Sequence, residues 1–171
     1  MKLAFKEDYL QWQSRLKTNT RFRNWWRFWS NYSWLFLLPI VFYLGYVVTD
    51  ARVITRIAVA FILARIILVP ILSRIFPKAR PYQEFNFSPL SSIFLSLETK
   101  SHNSFPSSHM ISLTAASGAL VTSYPVFALV FVAVAILTGL GRVVLGFHYP
   151  KDIIFSLISG LIIGIIVSLL I

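Results

Sequence analysis

The chain predicts an all-α integral membrane helical bundle, with about five transmembrane helices and an amino-terminal interfacial helix. Three observations carry that expectation. Hydrophobic residues make up 57% of the 171 positions, with a mean hydropathy of +0.72. Only 13% of residues are charged, far below the share a soluble domain uses to cover its surface. Apolar runs near the roughly 20 residues that cross a bilayer consume most of the length.

Residues 1–32 differ from the rest. They carry seven Lys/Arg and the cluster Arg21-Phe22-Arg23-Asn24-Trp25-Trp26-Arg27-Phe28-Trp29. Tryptophan rings prefer the membrane–water boundary and basic side chains reach anionic headgroups, so this segment is expected to lie along the interface. The net charge of +10 suits either nucleic acid or a membrane. The tryptophans and adjoining apolar runs select membrane lipids and leave no nucleic-acid partner. Residues 33–171 form the second unit, a single transmembrane domain with spans expected at 33–49, 53–73, 106–123, 126–145 and 150–171. Too little chain remains for a separate soluble domain. The first apolar run lies behind a long polar segment, unlike a cleaved signal peptide. There are no cysteines, which removes disulfides and thiolate metal ligands.

Three short blocks at span ends bear polar chemistry: Arg80-Pro81; Pro106-Ser107-Ser108-His109; and Arg142 with His148 and Asp152. Two spans precede Arg80 and two separate His109 from Arg142, so all three blocks are expected on one face. Guanidinium groups are always charged and grip phosphate oxygens with two prongs, which suits Arg80 and Arg142 to clamping nonbridging oxygens. His109, with Ser107 and Ser108, opens the third span, where unbonded N–H groups favour an anion. Two histidines, two arginines and an aspartate are the parts of a phosphoryl-transfer site.

These blocks resemble the type 2 phosphatidic acid phosphatase (PAP2) family of membrane lipid phosphatases, whose pattern is Lys-x6-Arg-Pro, Pro-Ser-Gly-His and Ser-Arg-x5-His-x3-Asp. Here Gly141 replaces the serine of the third block, Ser108 replaces the glycine of the second, and the lysine position falls on Ser73, leaving Arg74 or Lys78 as stand-ins. The resemblance, over about residues 33–171, implies a lipid phosphate or pyrophosphate phosphatase that needs no cofactor. It makes His148 the nucleophile that becomes a phosphohistidine, with Asp152 holding its ring. Ser107 would donate its hydroxyl and N–H to phosphate, and His109 would protonate the leaving oxygen. Small bacterial members of this kind imply a polyprenyl pyrophosphate such as the undecaprenyl carrier, with phosphatidylglycerol phosphate, phosphatidate and lipid A phosphates as other substrates.

No His/Asp/Glu cluster has ligand spacing, so metal-independent catalysis is expected. Arg65 falls mid-span, where charge is costly, and is either a lipid or phosphate contact or a snorkelling side chain. His102 reads as a solvated loop residue. The Lys/Arg bias puts the blocks in the cytoplasm, whereas the resemblance puts them on the outer side of the cell membrane. A second reading is a non-catalytic membrane protein that binds anionic lipid or scaffolds partners, for which the missing lysine at Ser73 speaks.

Overall fold

The computed structural model describes residues 2–37, 39–40, 43, 46, 51–86 and 103–171, and among these there is helix and no strand. Helix α1 spans Lys2–Thr18 and α2 spans Thr20–Tyr32. Asn19 separates them because its Oδ1 accepts from the Phe22 N–H at 3.0 Å, capping α2. A 3₁₀ turn follows over Ser33–Leu37. The expected span 33–49 lies partly outside the described residues.

Helix α3 runs from Ala51 to Ile75, and α4 is a single turn over Pro81–Glu84. Helix α5 spans Ser108–Leu120, α6 Pro125–Val144 and α7 Pro150–Leu170. Prolines at the first positions of α6 and α7 lose no intrahelical bond there, which explains where both begin.

Among the described residues three helices, α3, α6 and α7, are long and apolar enough to cross a membrane. Their exposed positions hold large apolar residues: Ile54, Ile66 and Ile71 on α3; Val126 and Leu129 on α6; Ile158, Ile162 and Leu169 on α7. The buried positions of α7 include Ser156, Gly160, Gly164 and Ser168, beside Asp152, Ile153 and Val167. Small residues inside and bulky apolar ones outside is the pattern of helices packed in lipid, where the hydrocarbon solvates the outer face and close backbone approach holds the inner one. The protein is a membrane protein.

The expected third span, 106–123, is shorter than a crossing helix: α5 has 13 residues, about 20 Å of rise. Ten of those residues are buried, so α5 is the hub of the bundle rather than a lipid-facing span. Side chains at Gly160 and Gly164 would collide with the backbone of Ile111, Ala115 and Ala119. The small residues of α5 and α7 thus permit the contact that seats His109 beside the start of α7.

Along α1, Tyr9, Gln13 and Leu16 are buried at helical spacing. Gln13 Nε2 donates to the Val144 carbonyl at 3.2 Å, and Leu16 packs with Val144, Leu145 and Phe147. The amino-terminal helices therefore press one face on the chain that joins α6 to α7, at Gly146 (φ +81°).

Helix α2 crosses α6 at Gly141. A Cβ there would stand 3.0 Å from Ser30 N and 3.1 Å from Trp26 O, both backbone atoms that cannot rotate away. This contact accounts for glycine where the resembling family has serine. Gly141→Ser is expected to push α2 outward and lower stability by about 1–3 kcal/mol, read as a drop in the thermal midpoint in detergent with altered tryptophan fluorescence. An unchanged midpoint would show that α2 is not packed at this depth.

Candidate active site

The site forms where three chain segments meet: 73–80 at the end of α3, 103–109 leading into α5, and 142–152 between α6 and α7. Asn103 straps the first two together. Its Oδ1 accepts from Lys78 N–H (3.0 Å) and Phe105 N–H (3.1 Å), and its Nδ2 donates to the Ser73 carbonyl at 2.5 Å. Ser104 N–H adds a bond to the Lys78 carbonyl at 2.7 Å.

That strap presents the Ser104 carbonyl to His148, whose Nδ1 lies 2.6 Å away. A carbonyl can only accept, so Nδ1 carries the proton and the Nε2 lone pair is the nucleophilic one. The expectation that Asp152 holds the His148 ring is therefore corrected. Asp152 Oδ2 accepts from Ser104 Oγ (2.6 Å) and Tyr149 N–H (3.1 Å), while Oδ1 pairs with Lys78 Nζ at 2.6 Å. The carboxylate is thus a second layer, fixing the serine whose carbonyl fixes the ring.

Lys78 is also corrected by this pairing. Its ammonium faces Asp152 and the Tyr149 ring, 4.2 Å from the centroid, rather than the histidines. Arg74 is exposed, and among the described residues no hydrogen bond or ion pair joins it to His109, His148, Arg80 or Arg142. Ser73 donates its hydroxyl to the Phe105 carbonyl at 3.2 Å. The Ser107 N–H, expected to bind phosphate, donates instead to Ser156 Oγ at 2.8 Å. The Ser107 hydroxyl is buried without a hydrogen bond among the described residues. Ser108 is the half-buried first residue of α5, and its carbonyl accepts from Ser112 Oγ at 2.7 Å. His102 lies outside the described residues.

Arg80 and Arg142, 5% and 2% exposed, flank the buried Phe147 with guanidinium carbons 5.8 and 5.0 Å from its ring centroid. Arg80 Nε also donates to the Asn103 carbonyl at 3.2 Å. The Arg142 carbonyl accepts from Phe147 N–H (2.9 Å) and His148 N–H (3.4 Å), so arginine and imidazole sit on one backbone turn. The charges of both arginines act on both His109 and His148. The structure thereby brings His148, His109, Arg80 and Arg142 together, with Asp152 behind Ser104.

Sequence reasoning missed Asn103, Ser104, Phe147 and Ser156. Phe147 had a signal, being an aromatic beside His148 within the spacing of the third block. The Ser104 carbonyl had none, because every residue has one. Glu84 was missed too: it accepts from the Tyr149 hydroxyl, whose titration burial and this carboxylate push upward, so the phenol stays a donor.

Burial, with the charges of Arg142 and Arg80, holds the His148 imidazole well below the ordinary histidine range. It therefore stays neutral, its lone pair available, at pH values where an exposed histidine is protonated. The acid limb that His148 imposes on kcat/KM is expected below about pH 6.5, read from a pH–rate profile; a limb at or above the ordinary value would contradict the burial. By the same sign, stability holds above about pH 6.5 and falls as the unfolded chain takes up a proton that the folded one refuses.

Ile75, Phe76, Pro77, Lys78, Phe105, Lys151, Asp152 and Phe155 line an open cleft of about 730 Å³. Apolar walls with lysines beside them suit a lipid whose headgroup stays polar. Among the described residues no three His/Asp/Glu side chains come together as a metal site.

The family model described as PAP2 superfamily matches residues 53–171, which hold all the residues gathered above. The chain belongs to the PAP2 superfamily. Two curated relatives are each 34% identical over 99 residues: the lipid A 1-phosphatases of Rhizobium johnstonii (strain DSM 114642 / LMG 32736 / 3841) and Rhizobium etli (strain ATCC 51251 / DSM 11541 / JCM 21823 / NBRC 15573 / CFN 42). The match covers 55% of this chain and 38% and 40% of theirs, so the chain shares about two-fifths of the length of these relatives. No solved structure matches the chain. Among PAP2 superfamily features, the Ser73 and Gly141 departures now have structural partners in the Phe105 carbonyl and α2.

Proposed function

We propose that this protein is a membrane lipid phosphate or pyrophosphate phosphatase that works through a phosphohistidine. The observation that carries the reading is the Ser104 carbonyl on His148 Nδ1, which leaves the Nε2 lone pair beside two buried guanidinium groups and a second histidine. Membership of the PAP2 superfamily supports it, and the relatives' names point to a lipid phosphate.

In this mechanism Arg80 and Arg142 hold the nonbridging oxygens. His148 Nε2 forms a bond to phosphorus as the bond to the leaving oxygen breaks, and that oxygen takes a proton from His109. Water then attacks the phosphohistidine, gives a proton to His109, and releases inorganic phosphate with His148 restored. Preorganised positive charge supplies the stabilisation of the transferring group. The cleft beside Phe76, Phe105 and Phe155 admits the lipid from the bilayer, and Trp25 and Phe28, exposed on α2, suit the headgroup region.

The test is phosphate release by detergent-purified protein from a polyprenyl diphosphate, a polyprenyl monophosphate, phosphatidate and lipid A, with and without a chelator. Release that survives chelation is expected. No release from any of these would favour the scaffold reading, for which the occupied Ser73 hydroxyl is the structural support.

A further inference from the structure

The motif lysine is absent, and neither stand-in reaches the histidines: Lys78 pairs with Asp152 and Arg74 is exposed. A different cation, Arg65, lies on α3 where that helix packs against α5. Helices α3 and α5 run antiparallel, since Ser73 Oγ reaches the Phe105 carbonyl just before α5, and Arg56 reaches Ser123 Oγ (3.0 Å) just after it. Arg65, eight residues before Ser73, therefore stands one to two turns deeper than His109. Ala60 and Ala64 pack without exposure against Ile111 and Ala115, and Leu68 joins the same cluster, so Arg65 flanks the face of α3 that meets the first turns of α5.

Local backbone structure marks the same place. Residues Ile62–Leu68 form a π-helical segment in which Val69 N–H bonds the Ala64 carbonyl. Pro70, which follows, cannot donate to Ile66 and clashes with that carbonyl in α-helical register. The wider turn shifts Arg65 relative to an unbroken helix, and such segments recur at functional sites. Arg65 is half-buried. A long stem lying along apolar surface lets the guanidinium rise toward a polar end, and the polar end nearest here is the site itself.

We propose that Arg65 is the third cation of the phosphate pocket, placed beneath His109 on the side where the leaving oxygen departs. Its charge acts on the His109 ring, alongside those of Arg142 and Arg80. This inference rests on the proposed phosphatase reading for the direction of departure. A leaving group that is itself a phosphate carries negative charge away, whereas an alcohol does not, so Arg65 favours a lipid diphosphate over a lipid monophosphate.

Two measurements on the full-length protein in detergent test it. The first is protection against thermal unfolding by inorganic pyrophosphate and by orthophosphate, which needs no turnover. Arg65→Gln is expected to weaken pyrophosphate about tenfold and orthophosphate less than twofold, with Arg65→Lys recovering most of the loss. The second is kcat/KM for a polyprenyl diphosphate against the monophosphate, where Arg65→Gln lowers the ratio about tenfold. Equal losses for both ligands, or an unchanged pyrophosphate affinity, overturn the proposal. If the wild-type chain turns over neither lipid, the phosphatase reading fails, and the pyrophosphate arm still decides whether Arg65 binds the second phosphate.

Discussion

Replacing His148 by alanine is expected to cut phosphate release by about 10⁴-fold or more, the size of effect seen when a covalent nucleophile is removed. The ring is 3% exposed, its Nδ1–H is fixed on the Ser104 carbonyl, and its backbone is hung from the Arg142 carbonyl. His109, the second imidazole of the site, serves in the proposed mechanism as the acid for the leaving oxygen and does not replace the nucleophile. Folding should survive, since alanine removes a ring but leaves the His148 N–H bond in place. Rapid quenching of the wild-type chain with radiolabelled lipid diphosphate, followed by denaturation at alkaline pH, is expected to leave label on protein, and the alanine variant none. Release by His148→Ala within tenfold of wild type would remove the histidine from the mechanism.

Arg142→Lys is expected to lose about 10²–10³-fold in kcat, the cost of removing one preorganised donor from a developing charge. The charge survives in this variant, so the loss measures geometry. A guanidinium presents a flat fork that grips two phosphate oxygens and stacks on a ring, whereas an ammonium is a point charge on a flexible stem. Arg142 is 2% exposed, with its guanidinium carbon 5.0 Å from the centroid of the Phe147 ring, and that of Arg80 is 5.8 Å from the same centroid. Lysine would leave space over that ring and hold phosphate loosely. Activity near that of the wild type would mean that Arg142 serves only to hold the turn at Phe147 and His148. Thermal midpoints measured beside the rates separate a packing defect from a catalytic one.

Much of this architecture was legible in the residues. The apolar runs that become α3, α6 and α7, and the spacing of Arg142, His148 and Asp152, are visible without coordinates. Other features were misread for physical reasons. Hydropathy marks 106–123 as a span, yet α5 is a 13-residue helix enclosed by its neighbours. Its serines, alanines, threonine and glycine were the available clue, since small residues serve helix contact rather than lipid. Asp152 was assigned to the imidazole by the family resemblance, but its oxygens turn to Ser104, Lys78 and Tyr149. Lys78 was read as a stand-in for the lysine missing at Ser73, and its partner instead lies 74 residues away, at Asp152.

By itself the sequence determined the solvent and the parts list: a chain this apolar belongs in a bilayer, and Arg80, His109, Arg142 and His148 stand at or beside span ends. Those are local properties, set by side-chain transfer energies and by spacing along one segment. Only the tertiary structure decided which nitrogen of His148 bears the proton, where Asp152 spends its charge, and which face of α3 packs on α5. Each depends on a backbone carbonyl or a helix crossing supplied by residues dozens of positions away, and such groups are placed by packing rather than by residue type.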